Sequence, residues 1–482
     1  MIKTITFDNF RNIKGTYDFS RQFNVVIGQN NSGKTNLLDG IKLAFSCITG
    51  DYFRVSKTDF FNSDDDKTIR IIVVLDDKIE TLSCCDRLGN LEYGFIVEVR
   101  KTSNGKYNKK LKLLNDQYVD YDMLREDANV PQIISLPLIR TDDLYSKGFS
   151  TDLSIFISES SDYQKILDDA RAQSKELIKE QVIAFSKFCE KFNQTLDVEL
   201  SNPNLSDEKA HIIDKNSGNK EHSSCIGSGY KSIATIMLNT MSGDYNVVLI
   251  DEIENHLHPS LIRTVVEELK KKENCVFICS THSPVVINEC SIEDLIFIGH
   301  DRISKKLDSK TINKLDIFMH PGRAELLFSE NILLVEGYSE ELVLKKYIRD
   351  KKYNITVINV NGIMFKPYIE LCVVLNKRIA VISDTDICLQ DNVKVESNRF
   401  LRLKEFCDNN NVPVIKMYNT FETDAFRSSL IDDSMLHSNE KHPDILIANN
   451  GYKTYIARKM IEENVDLSKW HIITEIEKIF KD

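Results

Sequence analysis

A glycine-rich run near the start of the chain has the residue types and spacing of a phosphate-binding loop. It follows the apolar residues 23–27 and precedes a helix-period pattern, so it should connect a strand to a helix. In such a loop glycines let backbone N–H groups face a phosphate, a lysine reaches the β and γ oxygens, and a hydroxyl ligates Mg²⁺. The residues predicted to bind nucleotide are Gly28, Asn30, Asn31, Ser32, Gly33, Lys34 and Thr35, with Thr35 also a predicted metal ligand.

Two acids follow an apolar run at residues 246–250, which is typical of a buried strand. Asp251 is suited to hold the Mg²⁺ shell of a nucleotide, and Glu252 is suited to polarise the attacking water. The alternative is a strand whose acids only cap the following turn. Because a phosphate-binding loop is present upstream, the catalytic interpretation is preferred.

Two further features extend the predicted nucleotide site. The turn Gly227-Ser228-Gly229 precedes an apolar-periodic segment and predicts a second anion site at a helix N-terminus. The apolar run 276–279 leads to His282, which we expect to be exposed at a strand end and to contact a γ-phosphate. Each feature is weak alone, but the order of loop, turn, acids and histidine along one chain is specific.

From Asn331 the chain begins a second pattern, in which apolar strands alternate with helices. The first strand ends at Glu336 and the third at Asp384 and Asp386, and Glu340 lies one helical turn after Glu336. Because the carboxyl ends of parallel strands share one edge of a sheet, these acids should converge. Converging carboxylates repel one another unless a hard cation lies between them, so we predict a Mg²⁺ or Mn²⁺ site. A tight turn at Glu-Gly and a plain loop at Asp-x-Asp are the alternatives.

In this order, the motifs of the first half resemble those of the ATP-binding-cassette (ABC) ATPases, especially their chromosome-maintenance and RecF-like branch. The resemblance assigns Gly227, Ser228 and Gly229 to the signature turn, Asp251 and Glu252 to the Walker B pair, and His282 to the switch histidine. It implies that two heads close on two ATP molecules, each held between one head's loop and the other's signature turn. The turn continues as Ser-Gly-Tyr rather than the Ser-Gly-Gly-Gln of transporters, as in the soluble relatives.

The second half resembles the Toprim domain of topoisomerases, primases and several nucleases, through its Glu-Gly and Asp-x-Asp motifs. A cassette ATPase followed by a Toprim domain is similar to the OLD (overcoming lysogenization defect) family of ATP-dependent endonucleases, over essentially the whole chain. The resemblance implies metal-binding roles for Glu336, Glu340, Asp384, Asp386 and the later acid Glu422. It also implies a lysine that stabilises phosphate charge, matched best by Lys453, with Lys441 as the alternative.

The expected fold class is α/β: an ABC-type ATPase head with an inserted helical dimerisation element, followed by a Toprim domain. The ATPase head should occupy residues 1–145 and 206–325, the insert 146–205 and the Toprim domain 326–482. The insert is predicted from a short heptad-like apolar stripe, for which an ordinary amphipathic core helix is the alternative. The stripe comprises Ile178, Val182, Phe185, Cys189 and Phe192.

Two expectations concern the rest of the first half. The strand-like runs 68–75, 93–100 and 133–138 should form an antiparallel flank beside a parallel core. The polar residues 201–224 should be a loop-rich return to the ATPase head.

The composition limits which binding partners and which cellular compartment we expect for this protein. The 482 residues carry a formal net charge of −11, which argues against non-specific coating of nucleic acid but permits a local basic groove. The 11 cysteines show no metal-ligand spacing and suggest reduced thiols, and no apolar run is long enough to span a bilayer. Because no signal-peptide pattern follows Met1, we expect a cytoplasmic protein with no membrane association.

The sequence therefore predicts an ATP-binding, metal-dependent endonuclease that cuts DNA. OLD-like nucleases include phage-defence effectors such as the nuclease subunit of Gabija-type systems, so the resemblance implies antiviral defence. The implied partners are DNA, further copies of the chain joined through the ATPase half, and a helicase or reverse transcriptase encoded nearby.

Three other functions are alternatives to this prediction. A topoisomerase needs a tyrosine nucleophile on a separate domain, and a primase needs polymerisation modules; the chain has room for neither. The remaining alternative is a RecF- or SMC-like DNA-repair ATPase whose Toprim half binds nucleic acid without cutting it. The full set of acids disfavours it, because unneeded carboxylates would oppose phosphate binding.

Overall fold

The computed structural model divides the chain into two compact units, Met1–Arg302 and Ile303–Asp482. The structure describes residues 2–29, 31–49, 53–76, 78–85, 89–119, 124, 133–136, 196–200, 210–214, 220–222, 236, 246–272, 275–298, 307–318, 321–362, 364–390, 393–432 and 452–480. The four-part division of the sequence stays a prediction, and the heptad-like stripe of the insert lies outside the described residues. Within the described residues, no helix combines the length and apolar character that crossing a membrane requires.

The first unit contains strands from three sheets. In chain order its described strands are β1 (Ile2–Phe10), β2 (Ile13–Asp18), β3 (Phe23–Ile27), β4 (Ile69–Leu75), β5 (Ser83–Cys85), β6 (Leu91–Lys101), β7 (Tyr107–Leu113), β8 (Ile133–Leu136), β9 (Leu196–Leu200), β10 (Ala210–Asp214), β11 (Lys220–His222), β12 (Val247–Ile250), β13 (Val276–Ser280) and β14 (Leu295–Phe297). Its described helices are α1 (Lys34–Thr49), α2 (Pro259–Lys270) and α3 (Pro284–Asn288).

An antiparallel sheet forms one layer of this unit, with strand order β2-β1-β4-β6-β5 and β7 also paired with β6. Strand β4 alternates buried and half-buried residues, as expected for a strand that faces a core on one side. Helix α1 packs against this sheet, and the rings of Phe45 in α1 and Phe95 in β6 meet edge to face with centroids 5.5 Å apart. The core therefore fixes α1, which begins at the phosphate-binding loop.

A parallel sheet with strand order β14-β3-β13-β12-β8 carries the predicted nucleotide motifs. Strands β3, β12 and β13 are buried throughout, which is the pattern of a parallel strand covered on both faces. The expected antiparallel position of residues 133–138 was wrong, because β8 pairs in parallel with β12. A short apolar run has no periodicity that could indicate its neighbour, so the pairing was not readable locally.

Within residues 201–224, which the sequence predicted to be loop-rich, the described residues form two strands, β10 and β11, that were not predicted. Strands β9, β10 and β11 form a small antiparallel sheet across this region, in the order β11-β10-β9. Its outer strand β11 reads Lys-Glu-His and has no apolar residue, so hydrophobic periodicity gave no signal.

The second unit contains a parallel sheet flanked by helices. Its described strands are β15 (Asn331–Val335), β16 (Thr356–Asn359), β17 (Arg378–Asp384), β18 (Cys388–Gln390), β19 (Val393–Val395) and β20 (Val414–Met417). Its described helices are α4 (Ser309–Phe318), α5 (Pro321–Phe328), α6 (Tyr338–Lys351), α7 (Phe365–Val374), α8 (Asn398–Asn409), α9 (Phe421–Arg427), α10 (Tyr452–Glu462) and α11 (His471–Phe480).

Four parallel strands form the central sheet in the order β16-β15-β17-β20, and β18 pairs with β19 in a separate hairpin. The parallel sheet expected from the sequence is therefore present, with β20 as an additional edge strand. Helix α10 packs against α6. The carboxyl ends of all four strands lie at one edge, where the predicted acids follow them.

Candidate functional site

The predicted phosphate-binding loop is tightly wound, and at Gly33 its backbone has a conformation that residues with a side chain rarely adopt. A Cβ at Gly33, where φ is +108°, would lie 2.6 Å from Asn12 Oδ1. A Cβ at Gly28 would lie 2.6 Å from Ser32 Oγ. Asn31 also has a positive φ, of 64°. The loop therefore has the close-wound backbone that a phosphate cradle requires.

Lys34 begins α1 and points back over this loop. Its Nζ donates to the carbonyl oxygens of Gly28 at 3.0 Å and Gln29 at 2.9 Å, and the residue is buried. Burial lowers the pKa of Lys34, while the nearby charges of Asp251 and Glu252 act in the opposite direction. The lysine is thus held by neutral carbonyl groups at the position from which it can exchange them for phosphate oxygens.

Asp251 lies at the end of β12, beside the start of α1. The Ser280 hydroxyl donates to its Oδ1 and accepts from the backbone N–H of Glu252 at 2.8 Å, and the Thr35 side chain lies near the Asp251 carboxyl group. Burial is the main cause of the raised pKa of Asp251. Among the described residues, the buried oxygens Asp251 Oδ2 and Ser32 Oγ have no hydrogen-bond partner. Oxygens of this kind fit the ligand shell of a nucleotide-bound Mg²⁺.

Glu252 has a left-handed backbone, with a φ of 50°. Such a conformation is uncommon for a residue with a side chain and costs about 1–3 kcal/mol, and it occurs often at functional sites. Asn255 Nδ2 donates to Glu252 Oε2 at 2.8 Å and orients the carboxylate. The strain fits the role predicted for Glu252 as the residue that polarises water.

His282 follows β13 and is half-buried rather than fully exposed. Its backbone N–H donates to Glu254 Oε1 at 2.6 Å, and the Thr281 hydroxyl donates to Glu254 Oε2 at 2.7 Å. Burial and the charge of Lys34 lower the pKa of His282, so the neutral imidazole is favoured. Glu254 thus fixes the backbone from which the predicted switch histidine projects.

Sequence reasoning missed the part that Arg11 plays beside this loop. Arg11 donates to Asp59 at 2.9 Å, to Asn36 Oδ1 at 2.7 Å and to Asp39 Oδ2 at 2.6 Å, so it ties β1 to the first turns of α1. The neighbouring Asn12 donates to a loop carbonyl at 3.2 Å. The detectable signal was the turn between two predicted strands, which indicated no function by itself.

In the second unit, Glu336 follows β15 and is held by the neighbouring strand β17. Its Oε2 accepts from the Ser383 hydroxyl at 3.1 Å and from the backbone N–H of Asp384 at 3.3 Å. Asp384 ends β17 and is 3% exposed. The two acids predicted from distant parts of the chain therefore lie at adjacent strand ends.

Glu340 lies in the first turn of α6 and folds back over the glycine that precedes the helix. A Cβ at Gly337 would lie 2.8 Å from Glu340 Oε2, so this carboxyl group lies close against the glycine that follows Glu336. Glu340 is 6% exposed. Its carboxyl group is directed toward the turn that carries Glu336.

Asp386 lies in a loop that is fastened to the end of β20. Its backbone has a φ of 43°, and its N–H donates to the Asn419 carbonyl at 3.1 Å. The Thr385 hydroxyl donates to the Met417 carbonyl and accepts from the Asn419 N–H, both at 2.9 Å. Thr385, the middle residue of Asp-x-Asp, thus attaches this loop to the end of β20, and Asp386 has a strained backbone conformation.

Glu422 lies in the first turn of α9, after β20. The helix begins at Thr420, whose hydroxyl accepts from the N–H of Thr423 at 3.4 Å. Glu422 is 3% exposed, and within the described part of the chain its Oε1 is buried without a hydrogen-bond partner. Leaving a carboxyl oxygen buried and unsatisfied is costly, so this oxygen fits a cation ligand.

Arg399, in α8, is a residue that the sequence did not indicate. Its Nη2 lies 2.6 Å from Glu336 Oε1 and 2.7 Å from Asp386 Oδ2, so the guanidinium bridges the two acids. Among the described residues, no three acidic, histidine or cysteine side chains are close enough to hold one metal ion together. The positively charged guanidinium group of Arg399 nevertheless lies between Glu336 and Asp386, two of the predicted ligands. Their carboxylate oxygens are therefore placed to bind a positive charge. The five acids Glu336, Glu340, Asp384, Asp386 and Glu422 are called the acidic edge below.

Asp424 lies two residues after Glu422, in the same helix, and was given no role by the sequence. It is 1% exposed and accepts hydrogen bonds from the Tyr418 N–H at 2.6 Å, Trp470 Nε1 at 2.6 Å and His471 Nε2 at 2.9 Å. Tyr418 directly follows β20, Trp470 directly precedes α11, and His471 is the first residue of α11. Asp424 therefore joins elements behind the acidic edge.

Several predicted site residues cannot be placed. Asn30, the signature turn Gly227-Ser228-Gly229 and Lys441 lie outside the described residues. Lys453 lies in α10, but its side chain is outside the described part. The roles assigned to all the site residues stay predictions.

The geometry defines a class of protein: a nucleotide-binding α/β unit followed by a parallel sheet with an acidic edge. Two family models match this division of the chain. Residues 23–288 match an AAA domain family whose description refers to the AbiEii toxin of type IV toxin–antitoxin systems, and residues 327–386 match the OLD-like Toprim domain. The chain belongs to this AAA domain family and is an OLD-type fusion of an ATPase with a Toprim domain. The predicted family and the predicted α/β fold class are confirmed. The ATPase and Toprim domains also imply, in general terms, that the chain binds a nucleotide and a divalent metal ion.

Three relatives illustrate the match. The chain is 25% identical to Endonuclease GajA of Bacillus cereus (strain HuB5-5), over 77% of this chain and 62% of that protein. It is 23% identical to the Old nuclease of Escherichia phage P2, over 87% of this chain and 83% of that protein. It is 38% identical to the Retron Vc95 probable ATPase of Vibrio cholerae serotype O1 biovar El Tor, over 22% of each chain. The match to GajA thus covers less than two thirds of that relative's length.

Proposed function

We propose that this protein is an ATP-binding, divalent-metal-dependent endonuclease that hydrolyses DNA phosphodiester bonds in defence against phages. The observation that carries the proposal is the acidic edge, where Glu336, Asp384 and Asp386 come to adjacent strand ends and Arg399 bridges two of them. The printed names of two relatives, an endonuclease and a nuclease, support it.

At the acidic edge, Glu336, Asp384, Asp386, Glu340 and Glu422 would hold Mg²⁺ or Mn²⁺. A divalent ion there supplies a more acidic bound water and neutralises charge that develops on the phosphate. The chain's own contribution is rigid placement of the ligands: Ser383 and the Asp384 N–H fix Glu336, and Asn419 fixes the loop of Asp386. In our proposal Lys453 stabilises phosphate charge.

In the first unit, ATP with Mg²⁺ would lie on the phosphate-binding loop. Lys34 would exchange its loop carbonyls for phosphate oxygens, and Thr35 and Asp251 would complete the metal shell. Glu252 would polarise the attacking water, and His282 would contact the γ-phosphate. The signature turn Gly227-Ser228-Gly229 of a second copy would close the site, which makes ATP a regulator of assembly and access rather than an energy source for cutting.

The proposed function also implies binding partners and a cellular compartment for this protein. We propose a homodimer or larger homo-oligomer joined through the ATPase half, in the cytoplasm. A helicase or reverse transcriptase encoded nearby is the proposed companion, and the retron name of one relative is consistent with it.

The proposal is tested by incubating the purified protein with supercoiled plasmid and with linear DNA, in EDTA, Mg²⁺ or Mn²⁺, with and without ATP. Cutting should require the divalent ion, and Asp386→Asn should reduce it by about a hundredfold or more because the variant loses a metal ligand. The control is Asp408→Asn, an exposed acid in α8, which should cut like the wild type.

Cutting in EDTA, or full activity of Asp386→Asn, would reject the acidic edge as the nuclease site. DNA binding without cutting under every condition would support the alternative, a repair-type ATPase whose Toprim half only binds nucleic acid.

A further inference from the structure

We propose that Arg399 is a built-in competitor of the divalent cation at the acidic edge. Its guanidinium bridges Glu336 and Asp386, and it has to withdraw before an ion can bind there. The inference rests on the proposed function, because it concerns the same carboxyl groups. It adds a residue that sets the metal affinity of the site.

The guanidinium contacts three neighbouring strand ends at once. Arg399 Nη2 lies 2.6 Å from Glu336, after β15, and 2.7 Å from Asp386, after β17. Nη1 donates to the Gly362 carbonyl, after β16, at 3.1 Å. A planar fork with several donors is suited to hold separate acceptors in this way, which a lysine ammonium matches less well.

Arg399 and an incoming ion would compete for the same atom, Glu336 Oε1. The other oxygen of this carboxyl group, Oε2, already accepts from the Ser383 hydroxyl and the Asp384 N–H. An incoming ion would therefore use Oε1, which is the oxygen that Arg399 contacts. Because a guanidinium and a metal ion cannot share that position at close range, binding of one displaces the other.

Withdrawal of Arg399 needs a change of rotamer and no unfolding. The start of α8 is fixed, since the Ser397 N–H donates to the Thr385 carbonyl at 3.0 Å and Phe400 is fully buried. The Arg399 side chain itself is 40% exposed, so solvent lies beside it. The base of the side chain thus stays in place while its head is free to leave the acids.

The replacement has an electrostatic reason. One guanidinium charge interacts with the carboxyl groups of Glu336, Asp386 and Asp384, and three acids of the acidic edge, Glu340, Asp384 and Glu422, are almost fully buried. A divalent ion brings twice the charge to the same place and binds carboxylate oxygens directly. Arg399 therefore stabilises the acidic edge when no metal ion is bound. It also lowers the metal affinity, because the free energy of its ion pairs with Glu336 and Asp386 is lost when the ion binds.

The test is a Mn²⁺ titration without nucleotide, with free Mn²⁺ followed by electron paramagnetic resonance. Arg399→Gln should bind Mn²⁺ about tenfold more tightly than the wild type, as expected for loss of two half-exposed ion pairs. Arg399→Lys keeps the charge but not the fork, so its Mn²⁺ affinity should lie between those of the wild type and Arg399→Gln. Arg402→Gln, an exposed arginine of the same helix, is the matched control and should bind like the wild type.

Thermal unfolding provides a second readout. In EDTA, Arg399→Gln should melt at a lower temperature than the wild type, and saturating Mn²⁺ should raise its melting temperature by more. Equal or weaker Mn²⁺ binding by Arg399→Gln would overturn the inference while leaving the proposed function standing. No Mn²⁺ uptake by either protein would instead contradict the proposed function, and the inference with it.

Discussion

At the scale of single residues, each candidate site contains a cationic side chain whose contacts would have to change when a ligand binds. Lys34 donates to two carbonyl oxygens of its own loop, and Arg399 bridges Glu336 and Asp386. The lysine was predictable because its motif fixes its position relative to the glycines. The arginine was not, since it lies outside the acidic motifs and reaches them only through the packing of α8.

Lys34→Met should weaken ATP binding while leaving the fold intact. The change removes the charge that faces the phosphates but keeps an apolar stem, and loss of charge-assisted hydrogen bonds of about 1.5–3 kcal/mol corresponds to roughly 10–100-fold in affinity. Calorimetric titration with ATP and Mg²⁺ measures the change. Lys42→Met, an exposed lysine of the same helix, should leave the affinity unaltered. An ATP affinity of Lys34→Met equal to that of the wild type would disprove the assignment of the loop.

At the scale of elements, the strand ends decide where the chemistry is placed. The sequence indicated β15, β16 and β17 and their parallel arrangement, because each is a buried apolar run that ends in a polar turn. It did not indicate that β20 pairs beside β17, nor that β8 joins the parallel sheet of the first unit. Both are short apolar runs, and pairing between distant strands depends on tertiary contacts that no local pattern records.

The cluster around Asp424 shows how the elements behind the acidic edge are held together. Its buried carboxyl group joins the end of β20 to Trp470 and His471. Trp470→Phe removes the indole donor and leaves a smaller ring, so we expect the second unit to lose about 2–4 kcal/mol of unfolding free energy. Lys469→Gln, an exposed neighbour, should change stability by less than about 0.5 kcal/mol.

Urea unfolding followed by far-ultraviolet circular dichroism measures this loss. Trp470 is the single tryptophan of the chain, so the fluorescence of the wild type identifies which transition belongs to the second unit. Unchanged stability of Trp470→Phe would show that the Asp424 cluster does not hold these elements together.

At the scale of the whole molecule, the chain joins two units, and we propose a different kind of phosphate chemistry for each. The first has a loop that fits a nucleotide, and the second has the acidic edge, where we propose that divalent ions bind. The order of motifs along the chain was sufficient to predict both units and their family. The dimerisation insert and the signature turn, which the proposed ATP-driven assembly needs, stay predictions from sequence.

We expect the acidic edge, and not the nucleotide loop, to bind divalent ions in the absence of nucleotide. The most direct test is Mn²⁺ uptake, measured by electron paramagnetic resonance, in Lys34→Met protein with and without the second change Asp386→Asn. We predict that Lys34→Met binds Mn²⁺ like the wild type and that the double variant loses this binding. Undiminished Mn²⁺ uptake by the double variant would contradict the claim.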